Sequence, residues 1–214
     1  MFVLGIDPGL SRCGYGVVRQ YGSHLAATAG GVVTTDPDTP LPERLTILIG
    51  ELRSLVKEVR PDAVVVEHVF FQTNARTAMA TGQAAGLALV AAAEAGCEVA
   101  QYTSNEVKMA VVGFGSATKD QVQRMVAALL DLPEPPSPPD VADALALALC
   151  HLTAQPLRRA VEAATARTGL EARIATASEK TLVSSRAVAA AAAGGHAVWA
   201  SGARATSGER GGLR

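Results

Sequence analysis

The chain has 214 residues and a mass of 21.9 kDa, which suggests one ordinary domain, or one domain plus a tail. Its residues are 49% hydrophobic, which excludes a wholly disordered protein. Lys and Arg number 19 against 20 Asp and Glu, so a globally basic nucleic-acid binder is excluded and any anion-binding surface must be local.

The balance hides an asymmetry: residues 151–214 hold nine basic and four acidic side chains, and the first 150 residues are acidic. Cys13, Cys97 and Cys150 are scattered and form no CxxC pair, which argues against a disulfide framework or a cysteine zinc site and fits a reducing compartment. No basic region opens the chain, and Asp7 breaks its first apolar run, so no signal peptide is expected here. The longest apolar stretch, Thr77 to Ala93, carries Gln83 and is mostly Ala and Gly, too weak to span a bilayer. These features predict a cytoplasmic protein.

Phe2 to Asp7 reads as a buried strand closed by Pro8-Gly9. Cys13 to Arg19 and Leu25 to Thr35 read as two further strands of a meander, closed by Pro37 and Pro40. Leu41, Leu45, Leu48, Leu52, Leu55, Val56 and Val59 have helical spacing, and Pro61 ends that helix. Ala63 to Glu67 is a second buried strand that finishes on a carboxylate. After a loop with Phe70, Phe71 and Asn74, a small-residue helix is predicted from Arg76 to Ala95; Gly82 and Gly86, one turn apart, permit close approach of another helix. Cys97 to Tyr102 is a strand, and Ser104 to Val112 a short helix. Thr118 to Leu130 is a helix with Val122, Met125, Val126 and Leu129 inward and capping-box spacing at Thr118 and Gln121. Pro133 to Pro139 is a stiff linker, and Asp140 to Leu152 the last helix. The pattern predicts an α/β fold over residues 1–155. Residues 156–214, rich in Ala, Arg and Gly, read as a flexible basic tail with no second core.

Four carboxylates stand out. Asp7 and Glu67 end strands, where open α/β sheets place their sites, and Asp140 and Asp143 share one helix face. Taken alone, each has an ordinary explanation: Asp7 a turn before Pro-Gly, Asp140 an N-cap, Asp143 a complement to the helix dipole, Glu67 an exposed strand end. Four acids converging on one pocket would instead repel and resist folding unless cations sat between them. Such hard oxygen ligands suit Mg²⁺ or Mn²⁺ rather than zinc. Two ions about 4 Å apart would activate a water and stabilise the leaving oxygen of a phosphodiester. Lys119, in the first turn of its helix, opposes the dipole and is either a phosphate cradle or a solvated lysine; Lys108 is equally two-sided. Phe70 and Phe71 are core packing or a wedge against an unpaired base. His68 and His151 read as structural.

Several stretches in order resemble the RuvC-type Holliday-junction resolvases, bacterial crossover-junction endodeoxyribonucleases. They are Leu4-Gly-Ile-Asp-Pro-Gly-Leu10, Cys13-Gly-Tyr-Gly-Val17, Glu67-His-Val-Phe70 with Asn74, Gln83-Ala-Ala-Gly86, Glu106 to Gly113, Gly115-Ser-Ala-Thr-Lys119 and Asp140-Val-Ala-Asp-Ala-Leu-Ala146. The resemblance spans residues 1–152 and implies an RNase H-like fold, a five-stranded mixed sheet flanked by helices. It implies that Asp7, Glu67, Asp140 and Asp143 bind two Mg²⁺ ions per subunit, with Mn²⁺ as a substitute. It gives Lys119 and Lys108 to DNA or the scissile phosphate and Phe70 to stacking at the opened crossover. Phe71 competes for that wedge role, and Asn74 and Arg76 complete the candidate DNA contacts.

The expectation is therefore an endodeoxyribonuclease of recombination and repair that resolves four-way junctions by two symmetric nicks, leaving 5′-phosphate and 3′-hydroxyl ends. A homodimer built on the helix bearing Gly82 and Gly86 matches the junction's two-fold symmetry, and family analogy adds a RuvA/RuvB-type branch-migration complex. The alternatives are a non-enzymatic junction-binding module and an actin- or sugar-kinase-like phosphotransferase, for whose second domain the chain looks too short.

Overall fold

The computed structural model describes residues 1–68 and 75–167. One compact unit runs from Met1 to Arg159. Its elements are β1 (Phe2–Asp7), β2 (Arg12–Tyr21), β3 (His24–Thr34), α1 (Leu41–Val59), β4 (Ala63–Glu67), α2 (Ala75–Glu94), β5 (Glu98–Tyr102), α3 (Ser104–Val112), α4 (Lys119–Leu129) and α5 (Pro139–Arg167). The five strands form one mixed sheet in the order β3-β2-β1-β4-β5. The meander β1-β2-β3 is antiparallel, while β4 and β5 join β1 in parallel through helical crossovers.

Parallel strands covered on both faces read as continuous apolar runs, and Val3-Leu4 with Ile6 in β1 and Ala63 to Val66 in β4 are fully buried. Alternation then divides them. Leu4, Ile6, Val64 and Val66 pack against Leu48, Leu52 and Val56 of α1 and the alanines of α2. Val3, Val65 and Ala63 face Leu145, Leu147 and Leu149 of α5 and Val122 and Val126 of α4. Each leucine buried in this way contributes about 2 kcal/mol of transfer free energy.

Helix α5 lies unusually close to the sheet because the strands beneath it carry glycines. A Cβ on Gly5 would fall 3.0 Å from the Ala144 carbonyl carbon, and one on Gly16 would fall 2.7 Å from Leu145 Cγ. Glycine therefore sets the depth at which the second turn of α5 meets the middle of β1 and β2.

Two details differ from the sequence expectation. Leu129, expected inward, is 40% exposed, and Leu130 is buried in its place. Leu130 is the C-cap, with φ −107° and ψ 9°, so its backbone has left the helical path and turns its side chain back to the core. The last helix runs to Arg167 instead of ending at Leu152. Pro156 removes one helical donor, but the Ala-rich sequence around it favours helix and keeps the element continuous. The expected tail beyond Arg167 lies outside the described residues.

Candidate active site

Asp7 ends β1 and Glu67 ends β4; the parallel register that pairs Ile6 with Val66 places the two carboxylates on adjacent strand ends. Across the other edge of β1, Asp7 faces Gly14. Gly14 lies directly under Asp140: a Cβ there would fall 2.8 Å from Asp140 Cβ. The helix thus begins on top of the β1–β2 ladder, and one turn later it presents Asp143.

Pro139 opens α5, so Asp140, which alone reads as an N-cap, is the second residue of the helix and lies in its first turn. Thr103 and Thr118 cap α3 and α4 with full capping boxes to Glu106 and Gln121. These caps fix the helix starts that carry Lys108 and Lys119.

Asp7, Glu67, Asp143, Lys108 and Lys119 line one pocket of about 300 Å³, walled by Val107, Val122, Ala146 and Leu147. Thr81 and Ser104 add hydroxyls. Asp140 lies on the rim beside it, bonded to Arg12 at 2.8 Å. Lys119 Nζ donates to Asp143 at 3.1 Å.

The electrostatics are those of acids crowded into a poorly hydrated cleft. Burial, then the charges of Glu67 and Asp143, push the Asp7 carboxyl up to about 7. Burial, followed by Asp143, raises Glu67 as well. Asp140 moves the other way, held low by its hydrogen bond from Arg12. Asp143 and the other neighbouring carboxylates raise Lys119 and keep it charged. Among the described residues, no three His, Cys, Asp or Glu side chains close into a ready-made cage. The α5 acids are instead turned to cationic side chains.

Oxygen donors that repel one another and are neutralised only partly by Lys119 and Arg12 suit a hard divalent cation. The site residues therefore fit Mg²⁺ or Mn²⁺. His151 is excluded from it: fully buried, its ring nitrogens face Tyr102 Oη at 3.1 Å and Gln155 at 2.7 Å. His68 continues the sheet, donating its backbone N–H to the Tyr102 carbonyl.

Of the other candidates, Arg76 is exposed at the start of α2. At Gly82 and Gly86 an added Cβ would meet nothing within 4 Å among the described residues beyond its own stretch of helix. Phe70, Phe71 and Asn74 lie outside the described residues. The sequence reading missed Arg12, whose role depends on the turn that carries it.

The profile of the family "Crossover junction endodeoxyribonuclease RuvC" matches residues 3–151, through every one of these acids. The chain belongs to the RuvC family of crossover junction endodeoxyribonucleases. It is 56% identical over 153 residues to the RuvC of Salinispora arenicola, covering 71% of this chain and 87% of that one. With RuvC of Pelotomaculum thermopropionicum identity is 49% over 151 residues, covering 71% and 92%. The structure of Thermus thermophilus RuvC in complex with Holliday junction substrate superposes with a TM-score of 0.70 at 40% identity, covering 73% of this chain and 96% of that one. The likeness to RuvC bears out the RNase H-like resolvase fold and removes the phosphotransferase alternative.

Proposed function

We propose that this RuvC-family chain nicks four-way DNA junctions symmetrically, with Asp7, Glu67, Asp140 and Asp143 as the carboxylates that hold two Mg²⁺ ions per subunit. The observation that carries the reading is the convergence of Asp7, Glu67, Asp143, Lys108 and Lys119 on one pocket at the strand ends. When bound, the ions supply an activated water and charge stabilisation at the departing 3′ oxygen, and Mn²⁺ serves in place of Mg²⁺.

The chain's own residues do the rest. Asp7, between Glu67 and the α5 acids, is the ligand with access to both sides of the pocket. Lys119 and Lys108 offer ammonium donors to the scissile phosphate and orient it. The Val107, Val122 and Leu147 wall thins the water around the phosphate, so each of these charges acts through a lower dielectric. Arg76, Asn74, Phe70 and Phe71 serve the DNA around the crossover. Products carry 5′-phosphate and 3′-hydroxyl ends that a ligase joins directly.

Two nicks on like strands require two sites related by a two-fold axis. Met79, Gly82, Gly86 and Val90 form an outward stripe on α2, with Met79 68% and Val90 46% exposed, and we assign this face to a homodimer. Coupling to a RuvA/RuvB-type branch-migration complex belongs to the same reading, as does action in the cytoplasm; among the described residues no helix is long and apolar enough to cross a membrane.

The test is Mg²⁺-dependent cleavage of a labelled four-way junction beside a linear duplex of the same sequence, with binding followed in Ca²⁺. Paired nicks in the junction alone, lost in Asp7→Asn while binding persists, support the reading. Binding without cleavage by the parent, across sequences and with Mn²⁺ as well, leaves only a junction-binding module.

A further inference from the structure

We propose that Arg12 is a DNA-phosphate contact held in reserve by Asp140. Its guanidinium exchanges that carboxylate for a backbone phosphate when Asp140 turns to a cation in the pocket. The inference deepens the functional reading above and rests on it.

The first support is position. Arg12 Nη2 lies 2.8 Å from Asp140 Oδ2 on the rim of the pocket, not inside it, with 52% of its side chain exposed and 23% of its partner's. The pair brackets Gly14, directly across the ladder from Asp7, so a freed guanidinium stands beside the acids instead of at a distance.

The second support is the brace beneath it. Arg12 opens β2, paired with Thr34. The turn before it is tied down from two directions. Thr35 Oγ1 donates to the Leu10 carbonyl at 2.5 Å, and the Thr35 N–H donates to the Ser11 carbonyl at 3.2 Å. Arg44 donates to Thr35 Oγ1 at 2.9 Å and to Ser11 Oγ at 2.6 Å. One arginine thus stiffens the turn and the other is presented on it. An arginine on a rigid mount loses less freedom on binding than one on a mobile loop.

The third is chemistry. A guanidinium stays charged at any working pH and presents a planar fork that fits carboxylate and phosphate alike. An exposed pair of this kind is weak, so changing partners costs little. In this structure Arg12 neutralises Asp140 through their 2.8 Å contact. Once Asp140 faces the pocket, Arg12 would otherwise be left unpaired at the DNA entrance, and a phosphate satisfies it. The contact is thereby conditional on a loaded site.

The experiment is the salt dependence of four-way junction binding by the full chain, measured in Ca²⁺ and in EDTA, for parent and Arg12→Gln. Each phosphate contact contributes about 0.9 to the slope of log affinity against log salt. The expected result is a slope smaller by about that amount in Arg12→Gln in Ca²⁺, and no difference in EDTA. Equal slopes in both media overturn the contact. A loss in both media overturns the exchange with Asp140, because Arg12 would then touch DNA whether or not the site is loaded. Asp140→Asn is the second variant: with its competitor gone, Arg12 contributes in EDTA the increment it otherwise contributes only in Ca²⁺. Should Arg12→Gln lose its native circular dichroism, that variant decides the matter, and an unchanged EDTA slope overturns the proposal. A parent that binds no junction in Ca²⁺ removes the functional reading itself, and the Arg12 assignment with it.

Discussion

Asp140 stands on Gly14. The glycine offers no side chain, and the first turn of α5 settles into that space so closely that a Cβ would fall 2.7 Å from the Asp140 carbonyl carbon. Gly14→Ala therefore has to lift the helix or bend the strand. The expected cost is about 1–3 kcal/mol of stability, typical of overpacking. Cleavage falls further than that loss explains, because Asp140 and Asp143 move with the helix while Asp7 and Glu67 stay on their strands. Thermal unfolding and single-turnover cleavage at saturating junction, compared at a temperature where both proteins are folded, separate the two effects.

Without divalent cation, the contribution of Asp7 and Glu67 to stability should fall as pH rises. Asp7 has its carboxyl pushed from the ordinary 3.8 to about 7, and Glu67 shifts the same way. The folded state therefore holds more protons than the unfolded chain between those limits, so ionising Asp7 weakens the fold across that window. Asp7→Asn cannot ionise. It should flatten the decline and leave the variant more stable than its parent above the window and little different below it. Adding Mg²⁺ above the window should raise the parent's melting temperature more than the variant's. Because Asp140, Glu94 and Glu106 shift the other way, the difference between parent and Asp7→Asn is the readout, and a difference that does not grow between those limits contradicts the crowded-acid account of the site.

Lys119→Gln should keep the fold, since its side chain is 78% exposed. It should lower single-turnover cleavage about 100-fold, the usual loss when one charged or hydrogen-bonding stabiliser is withdrawn from a reacting centre. Junction affinity in Ca²⁺ should fall much less. Equal losses in binding and cleavage would make Lys119 a general DNA contact instead.

Leucine at Gly82 and Gly86 tests the dimer face. At neither position would an added Cβ meet a described residue within 4 Å outside its own stretch of helix, and leucine favours helix over glycine by about 0.5–1 kcal/mol per position. The subunit should therefore fold as well as before while sedimentation reports a monomer. Junctions should then be nicked on one strand at a time. A double variant that stays dimeric places the interface elsewhere.

Much of this molecule is readable from residue order, because its signals are local. Leu41 to Val59 has a clean apolar period and a proline beyond each end, and the helix has those bounds. Glu67 is conspicuous because a carboxylate closes a run of buried valines. The pairing of Asp7 with Gly14, and of Gly14 with Asp140, is a register fact with no local signal. Arg12 was hidden for the same reason: its partner lies at the far end of the domain and meets it only after the sheet and α5 have docked. Leu129 and Leu130 exchanged places because a C-cap turns the chain off the period that precedes it. Pro156 suggested an end that the surrounding helix formers override.

The acids come from the first strand and the last helix of the compact unit, with Glu67 between them. On the proposed assignment, then, the four carboxylates are complete only after most of the compact unit has been made. A nascent chain that has not yet reached Pro139 holds Asp7 and Glu67 without Asp140 or Asp143, and lacks the helix that roofs them. On the proposed assignment such a fragment lacks two of the four carboxylates and should not cut DNA. An enzyme whose product is a broken strand is in this way armed only when its domain is complete.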